Sequence, residues 1–343
     1  LFETLRQLAA SGCSVLYISH KLHEIVALCE GATILRGGKV VAHCDPRRET
    51  ARSMAEMMIG PGLKELAKSG QRSFGAPRLQ VQGLSLARTS HFGVALDGVT
   101  FEVRAGEIFG VAGVAGNGQN ELLDALSGES LAPAPEAVLL EARPVGRLGV
   151  GRRRALGLRA VPEERNGHAA IGEFSLTENA TLTGRGRVRV ARLALVDAAE
   201  SARYTREVIA AFDVKATGPE APAGALSGGN LQKFIMGREI LQHPSVLVVC
   251  QPTWGVDAGA AAAIHQAVVD LAARGSAVLV ISQDLDELLS LCDTVAVLNG
   301  GRLSAPMKTG EVSIEALGLR MGGVHGDPQG TQVMTEHLHA HPI

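Results

Sequence analysis

Residues 107–128, EIFGVAGVAGNGQNELLDALSG, combine residue types and spacing suited to binding phosphate. An apolar stretch from Ile108 to Ala112 runs into a glycine-dense segment with Gly110, Gly113, Gly116 and Gly118, and then into a helical pattern with Leu122, Leu123 and Leu126. Strand, glycine loop and helix in that order can cradle phosphate. Glycines let successive N–H groups converge, and the helix start adds partial positive charge. The candidate nucleotide contacts are Gly113, Gly116, Asn117, Gly118, Gln119 and Asn120. In the pattern G-x-x-x-x-G-K-[ST] begun at Gly113, Gln119 stands at the lysine and Asn120 at the magnesium-binding hydroxyl. By itself this loop fits a plain turn or a dinucleotide loop as well as a triphosphate cradle.

A second segment, ALSGGNLQKFIMGREI at 225–240, also addresses an anion. Leu226, Ser227, Gly228, Gly229 and Asn230 open a helix, with Ser227 expected as its cap and the Gly228 and Gly229 amides facing outward. The apolar strand VLVVC, 246–250, follows, and then QPTWGVD, 251–257. Other polar clusters have plainer readings. Arg143, Arg147, Arg152, Arg153, Arg154 and Arg159 are expected on a solvated helix face, because no aromatics interleave them for RNA contact. Cys250 is expected to be a small buried hydrophobe. His337, His339 and His341 are expected in an unstructured tail rather than at a metal.

The elements that must position these residues repeat. Residues 8–40 align without a gap on residues 271–303, with fifteen identities in 33 positions, including Gly12/Gly275, Ser19/Ser282 and Cys29/Cys292. Each copy reads as helix, Gly turn, buried strand, polar turn, helix, strand, Gly-Gly hairpin and strand, which is α/β material with a mainly parallel sheet. The expected organisation is a tandem duplication whose first copy is cut short: 1–60 as a remnant of the first copy, a linker at 61–78, the second copy at 79–320 and a flexible tail at 321–343. About 185 residues of the first copy are expected upstream of Leu1.

Length and composition fit this plan and exclude others. At roughly 150 residues per domain, 343 residues imply about two domains. A formal net charge of −2 and 3% aromatic residues argue against a dedicated nucleic-acid binder. Five cysteines without a CxxC pair read as reduced and structural. The longest apolar runs are far shorter than the roughly 20 residues a membrane span needs.

Together, LSGGN at 226–230, PTWGVD at 252–257 and the glycine loop resemble the ATP-binding-cassette ATPases. The resemblance covers the chain apart from the linker and tail, and implies a P-loop-type α/β cassette with an antiparallel β subdomain and a helical subdomain. It places Cys250 at the metal-organising aspartate, Gln251 at the catalytic glutamate and Asp257 in the inter-domain loop. Glu163 falls in the glutamine loop, and Gln283 at the switch histidine, a position that His20 fills in the first copy. Glu178 and Asn179 fall near the groove that receives a permease helix, or form a helix cap.

Two such cassettes sandwich ATP between the loop of one and the signature of the other. The resemblance thus implies an asymmetric pair of sites. One would use His20 with Ser227, Gly228 and Gly229, and would hold ATP with Mg2+. The other would be degenerate, since it lacks the Lys, Asp, Glu and His. Within the family, LSGGN-x-QK, PTWGVDAGA and VPEERNGH look like the fused ATPase subunit of monosaccharide and nucleoside importers, with GNGQ leaning toward the nucleoside branch. That implies integral membrane permeases as partners, a solute-binding protein indirectly, and a peripheral position at the cytoplasmic face of the plasma membrane. A soluble, non-transport cassette protein and, for this chain alone, an inert nucleotide-binding scaffold are the alternatives.

Overall fold

The computed structural model of the chain describes residues 2–19, 22–36, 39–50, 53–54, 56–57, 73–88, 91, 93–184, 191–192 and 195–322. His20, most of the expected linker and the tail from residue 323 lie outside the described residues.

The N-terminal part contains α1 (Phe2–Ala10), α2 (Leu22–Leu28) and a hairpin of β1 (Ala32–Arg36) and β2 (Lys39–Cys44). Sequence periodicity predicts a buried strand near Val15–Ser19, but residues 13–19 form none. Leu16 and Ile18 are 89% and 88% exposed. A strand needs a neighbour to take up its ladder of N–H and C=O groups, and none pairs with this segment among the described residues.

The larger body runs through β3 (Pro77–Leu86), β4 (Leu96–Arg104), β5 (Ile108–Ala112), α3 (Gln119–Ser127), β6 (Val138–Leu140), β7 (Arg143–Pro144), α4 (Val150–Ala155) and β8 (Leu158–Val161). Next come α5 (Leu176–Gly184), a short hairpin of β9 (Ala191–Arg192) and β10 (Leu195–Val196), α6 (Ala198–Ala211), α7 (Gly228–Ile240) and β11 (Val246–Cys250). It closes with α8 (Ala258–Ala273), β12 (Ala277–Ser282), α9 (Leu285–Leu291), β13 (Thr294–Asn299), β14 (Arg302–Leu303), β15 (Met307–Lys308) and α10 (Ile314–Met321).

One sheet has the order β14-β13-β5-β12-β11-β8, with β15 also paired to β13; β13, β5, β12, β11 and β8 are parallel. The second sheet, β4-β3-β6-β7, is antiparallel. The central strands are apolar at every position because both of their faces are covered. Phe109, Val248 and Leu279 pack toward the antiparallel sheet, where the Phe101 and Phe109 rings stack at 5.3 Å. Ile108, Val249 and Val280 face a core shared with α5, α6, α7 and α8. The expected parallel sheet, antiparallel β layer and helical layer are all present.

Local signals set the helix ends. Asp197, Asp257 and Asp284 each accept a backbone N–H three residues on, at the starts of α6, α8 and α9. Gly128, at φ 92°, ends α3 in the left-handed conformation.

The arginine cluster departs from expectation. Arg143, Arg147 and Arg152 are exposed, but Arg153 and Arg159 are buried. The Arg153 guanidinium donates to the carbonyls of Ala125, Leu126, Gly146 and Leu148, which include acceptors left over at the end of α3. Burial holds its pKa down at about 10. Arg159 donates to Gln242 Oε1 and lies 3.9 Å from Glu239, whose carboxylate also pairs with Arg154 and Arg238.

Candidate functional site

Parallel register brings four separated segments to one edge of the sheet. Ala112 lies beside Ser282, Ile281 beside Cys250, and Val249 beside Val161. The residues that leave these strand ends are Gly113, Gln283, Gln251 and the Pro162-Glu163 pair. Such a crevice, outside the carboxyl ends of parallel strands, is where open α/β sheets bind ligands.

The glycine loop is closed from within. Gln119, 8% exposed, folds back so that its Nε2 donates to the Val114 carbonyl at 2.8 Å and its Oε1 accepts the Asn117 N–H at 3.1 Å. Asn117 fastens the loop to the hairpin after β13: its Oδ1 and carbonyl oxygen accept the Gly300 and Gly301 N–H groups at 2.8 and 3.0 Å. Gly113 must be glycine, since a Cβ there would stand 2.4 Å from Gln119 Nε2 and 2.7 Å from the Leu298 carbonyl oxygen. Gly118, at φ 108°, turns the chain into α3, whose first amides have no partner inside the helix. A neutral carboxamide thus takes up one N–H of the loop.

At the end of β11, Cys250 is buried among apolar side chains, as expected. Burial, helped by the charges of Glu163 and Glu287, pushes its thiol up to about 12. Gln251 is buried at φ 51°, a left-handed conformation that costs a non-glycine residue energy and clusters at functional sites. Its Oε1 lies 3.5 Å from the Gln283 N–H and 3.4 Å from Ser282 Oγ, so the structure brings Gln251 and Gln283 together. Glu287 was missed by sequence reasoning. Its carboxylate accepts from Ser282 Oγ at 2.6 Å and Thr253 Oγ1 at 2.5 Å, and contacts His265 Nε2 at 2.9 Å. The available signal was its match to Glu24 at the repeat offset; Glu24 accepts from Ser19 Oγ at 3.0 Å.

The site is poor in charged oxygen donors for a magnesium ion: Cys250 is a protonated thiol, and Gln251 and Asn120 offer only neutral amide oxygens. No group of three or more metal-ligating side chains occurs among the described residues.

The signature occupies a different place. Ser227 and Gly228 are exposed at the start of α7, and a Cβ on Gly229 would lie 3.6 Å from Asp257 Oδ2. No hydrogen bond joins Leu226–Asn230 to the glycine loop among the described residues. Ser227 stands at the N-cap position, but its hydroxyl makes no cap bond; it accepts instead from Asn230 Nδ2 at 2.9 Å. Asn230 Oδ1 in turn accepts the Lys215 N–H at 2.8 Å, which ties the signature to the loop after α6. The expected cap bond is therefore absent, and the Ser227 proton is left to donate. Asp257 caps α8 through the Ala260 N–H at 2.9 Å.

Glu178 and Asn179 make the bonds of a helix cap. Glu178 accepts the Ser175 N–H and hydroxyl while donating its own N–H to Ser175 Oγ. Asn179 is buried, and its amide accepts the Ile171 N–H and donates to the Ile171, Phe174 and Ser175 carbonyls.

Comparison with known proteins agrees with this geometry. Residues 96–254 match the family model described as ABC transporter. The chain is 34% identical over 326 residues to the glucose import ATP-binding protein TsgD13 of Haloferax volcanii, covering 94% of this chain and 59% of that protein. It is 34% identical over 318 residues to the ribose import ATP-binding protein RbsA of Pseudomonas putida, covering 92% and 60%. It is 31% identical over 323 residues to the nucleoside import ATP-binding protein NupA of Lactococcus lactis subsp. cremoris, covering 94% and 63%. The chain thus spans about three fifths of the length of these relatives.

The dimeric post-hydrolysis structure of the ATP-binding cassette MJ0796 with ADP and Pi matches with a TM-score of 0.58 at 19% identity, covering 67% of this chain and 98% of that one. That likeness concerns the fold. Among the described residues, no helix is long and apolar enough to cross a membrane. With the family match on residues 96–254 and the strand-end crevice that they help to build, the larger body of this chain has the fold of an ABC transporter cassette and is similar in sequence to sugar and nucleoside import ATP-binding proteins.

Proposed function

We propose that the chain is part of the ATP-binding subunit of an importer for simple sugars or nucleosides, and that its larger body is the second of two cassettes. Residues 1–60 then belong to a first cassette, 61–78 link the two, and 79–320 form the second, followed by a tail at 321–343. Support for the duplication comes from matched local structure at one offset: α2 and α9 span equivalent residues, Gly12 and Gly275 have φ of 95° and 94°, and the Ser19–Glu24 bond is repeated by Ser282 and Glu287.

The observation that carries the reading is the contrast within the larger body. Ser227 and Gly228 of its signature are exposed and the Ser227 hydroxyl is left to donate, while its own loop is filled by Gln119. Such a cassette lends Ser227, Gly228 and Gly229 to ATP held by the other cassette, where His20 serves as the switch. ATP with Mg2+ is hydrolysed at that site. The described loop, flanked by Gln119, Asn120, Cys250, Gln251 and Gln283, supplies neither a cation for the phosphates nor a base for water. The partners are integral membrane permeases and, through them, a solute-binding protein, at the cytoplasmic face of the plasma membrane.

The test is affinity purification of the complete polypeptide from detergent-solubilised membranes of its own cells, followed by ATPase assays with a panel of sugars and nucleosides. Recovery with integral membrane permeases and solute-dependent phosphate release is expected. Recovery only from the soluble fraction, without a permease, would favour a non-transport cassette protein.

A further inference from the structure

Arg165 lies in the turn between β8 and α5, held by backbone bonds from the Ala170 N–H to the Arg165 carbonyl at 2.7 Å and from the Ala169 N–H to the Glu164 carbonyl at 3.0 Å. From there its guanidinium reaches two segments distant in sequence. Nη2 donates to the Trp254 carbonyl. A Cβ built on Gly228 would stand 2.6 Å from Nη1, and one on Gly255 would stand 3.1 Å from Nη2. One planar group therefore lies against the first glycine of the signature and the turn glycine of QPTWGVD, and a side chain at either position would push it away.

This placement is not explained by an ion pair. Burial lowers the Arg165 pKa, and no ion pair to it occurs among the described residues. The guanidinium also sits beside the N-terminal end of α7, a 13-residue helix whose dipole disfavours a cation there. What it does provide is a planar fork, which can engage two neighbours at fixed angles where an ammonium cannot.

We propose that Arg165 is a positioning residue that clamps the signature, Ser227–Gly229, to the Trp254–Asp257 loop. The two segments then meet the nucleotide of an opposing cassette in one register. This role rests on the two-cassette reading above. Without Arg165, α7 and α8 still fold, since neither cap uses it, and the buried Gln232 Nε2 still donates to the Pro252 carbonyl at 2.9 Å, but the Trp254–Gly255 turn loses its side-chain tie beside the signature and moves more freely against it. ATP still binds to the loop of the other cassette. Turnover falls because the signature is no longer held where the phosphates need it.

Two measurements test this. Trp254 is the single tryptophan of the chain and is 57% exposed, so its fluorescence anisotropy reports the loop directly. In this chain, Arg165→Ala should add a fast loop motion to the Trp254 anisotropy decay and increase iodide quenching, with the thermal midpoint almost unchanged. In the reconstituted importer, Arg165→Ala should lower kcat about tenfold or more with little change in the KM for ATP, and Arg165→Lys should not rescue it. Unchanged Trp254 dynamics in Arg165→Ala would overturn the clamp, whatever the turnover. Recovery of kcat by Arg165→Lys would overturn it in favour of a simple charge effect. A wild-type assembly without ATPase activity would instead refute the importer reading, leaving the anisotropy result to decide the clamp.

Discussion

Replacing Gln119 with lysine gives the sharpest test of the closed loop. The Gln119 carboxamide makes two bonds to the loop backbone, one donated to Val114 and one accepted from Asn117. A lysine ammonium can keep the first but cannot accept the second, so the Asn117 N–H is freed and a positive charge is added. Losing a neutral hydrogen bond costs about 1 kcal/mol of stability, which shifts the thermal midpoint by only a few degrees. A new charge-assisted bond to phosphate contributes about 1.5–3 kcal/mol, or roughly a 10- to 150-fold lower Kd. Titration of the chain with a fluorescent ATP analogue at fixed ionic strength should show that gain for Gln119→Lys, and a smaller gain or none for Gln119→Ala. Phosphate release should stay absent in both, because Gln251 cannot take a proton from water. Equal affinity in the wild type, Gln119→Lys and Gln119→Ala would show that Gln119 does not obstruct the phosphate path.

The remaining predictions concern the asymmetric sites, the buried charges and the thiols. In the complete polypeptide, His20→Ala should remove most ATP turnover, as should Ser227→Arg or Gly229→Asp, while Gln283→Ala should barely alter it; equal losses for the two switch variants would mean equivalent sites. Burial pushes the Glu239 carboxyl up, but Arg238, Arg154 and Arg159 outweigh it and hold the pKa below its ordinary value. A depressed carboxylate contributes stability that is present above its unfolded pKa, about 4.3, and is lost as pH falls through the lower folded value. Urea unfolding should therefore show a loss below about pH 4.3 that is absent in Glu239→Gln, which itself should cost about 3–5 kcal/mol at pH 7 by leaving the arginines uncompensated. With its thiol pushed up to about 12, Cys250 should resist a thiol reagent at pH 8 until the chain is denatured, whereas the exposed Cys13 should react at once.

Much of the machinery was legible in the residues themselves. The strands Ile108–Ala112 and Val246–Cys250 stand where uninterrupted apolar runs predicted them, because runs of that length need cover on both faces. The glycine loop, the signature and the missing lysine are matters of residue identity and spacing. So is the repeat, whose Ser–Glu bond recurs in both copies.

Other features depended on contacts between distant residues, which spacing does not encode. Residues 13–19 closely resemble 276–282, yet only the latter form a strand, since β12 lies between β5 and β11 while the former has no paired neighbour among the described residues. Arg153 and Arg159 looked like surface charges until the end of α3 and the side chains of Glu239 and Gln242 were found around them. Ser227 had the sequence of a cap, but its oxygen accepts from Asn230 Nδ2 instead of from the helix backbone. Arg165 carried no signal beyond its place in VPEERNGH, because the glycines it touches lie more than sixty residues away along the chain. Local propensity and composition determined the elements and the chemical types available. Only packing decided which backbone groups were left without partners, and therefore which side chains were drawn in to satisfy them.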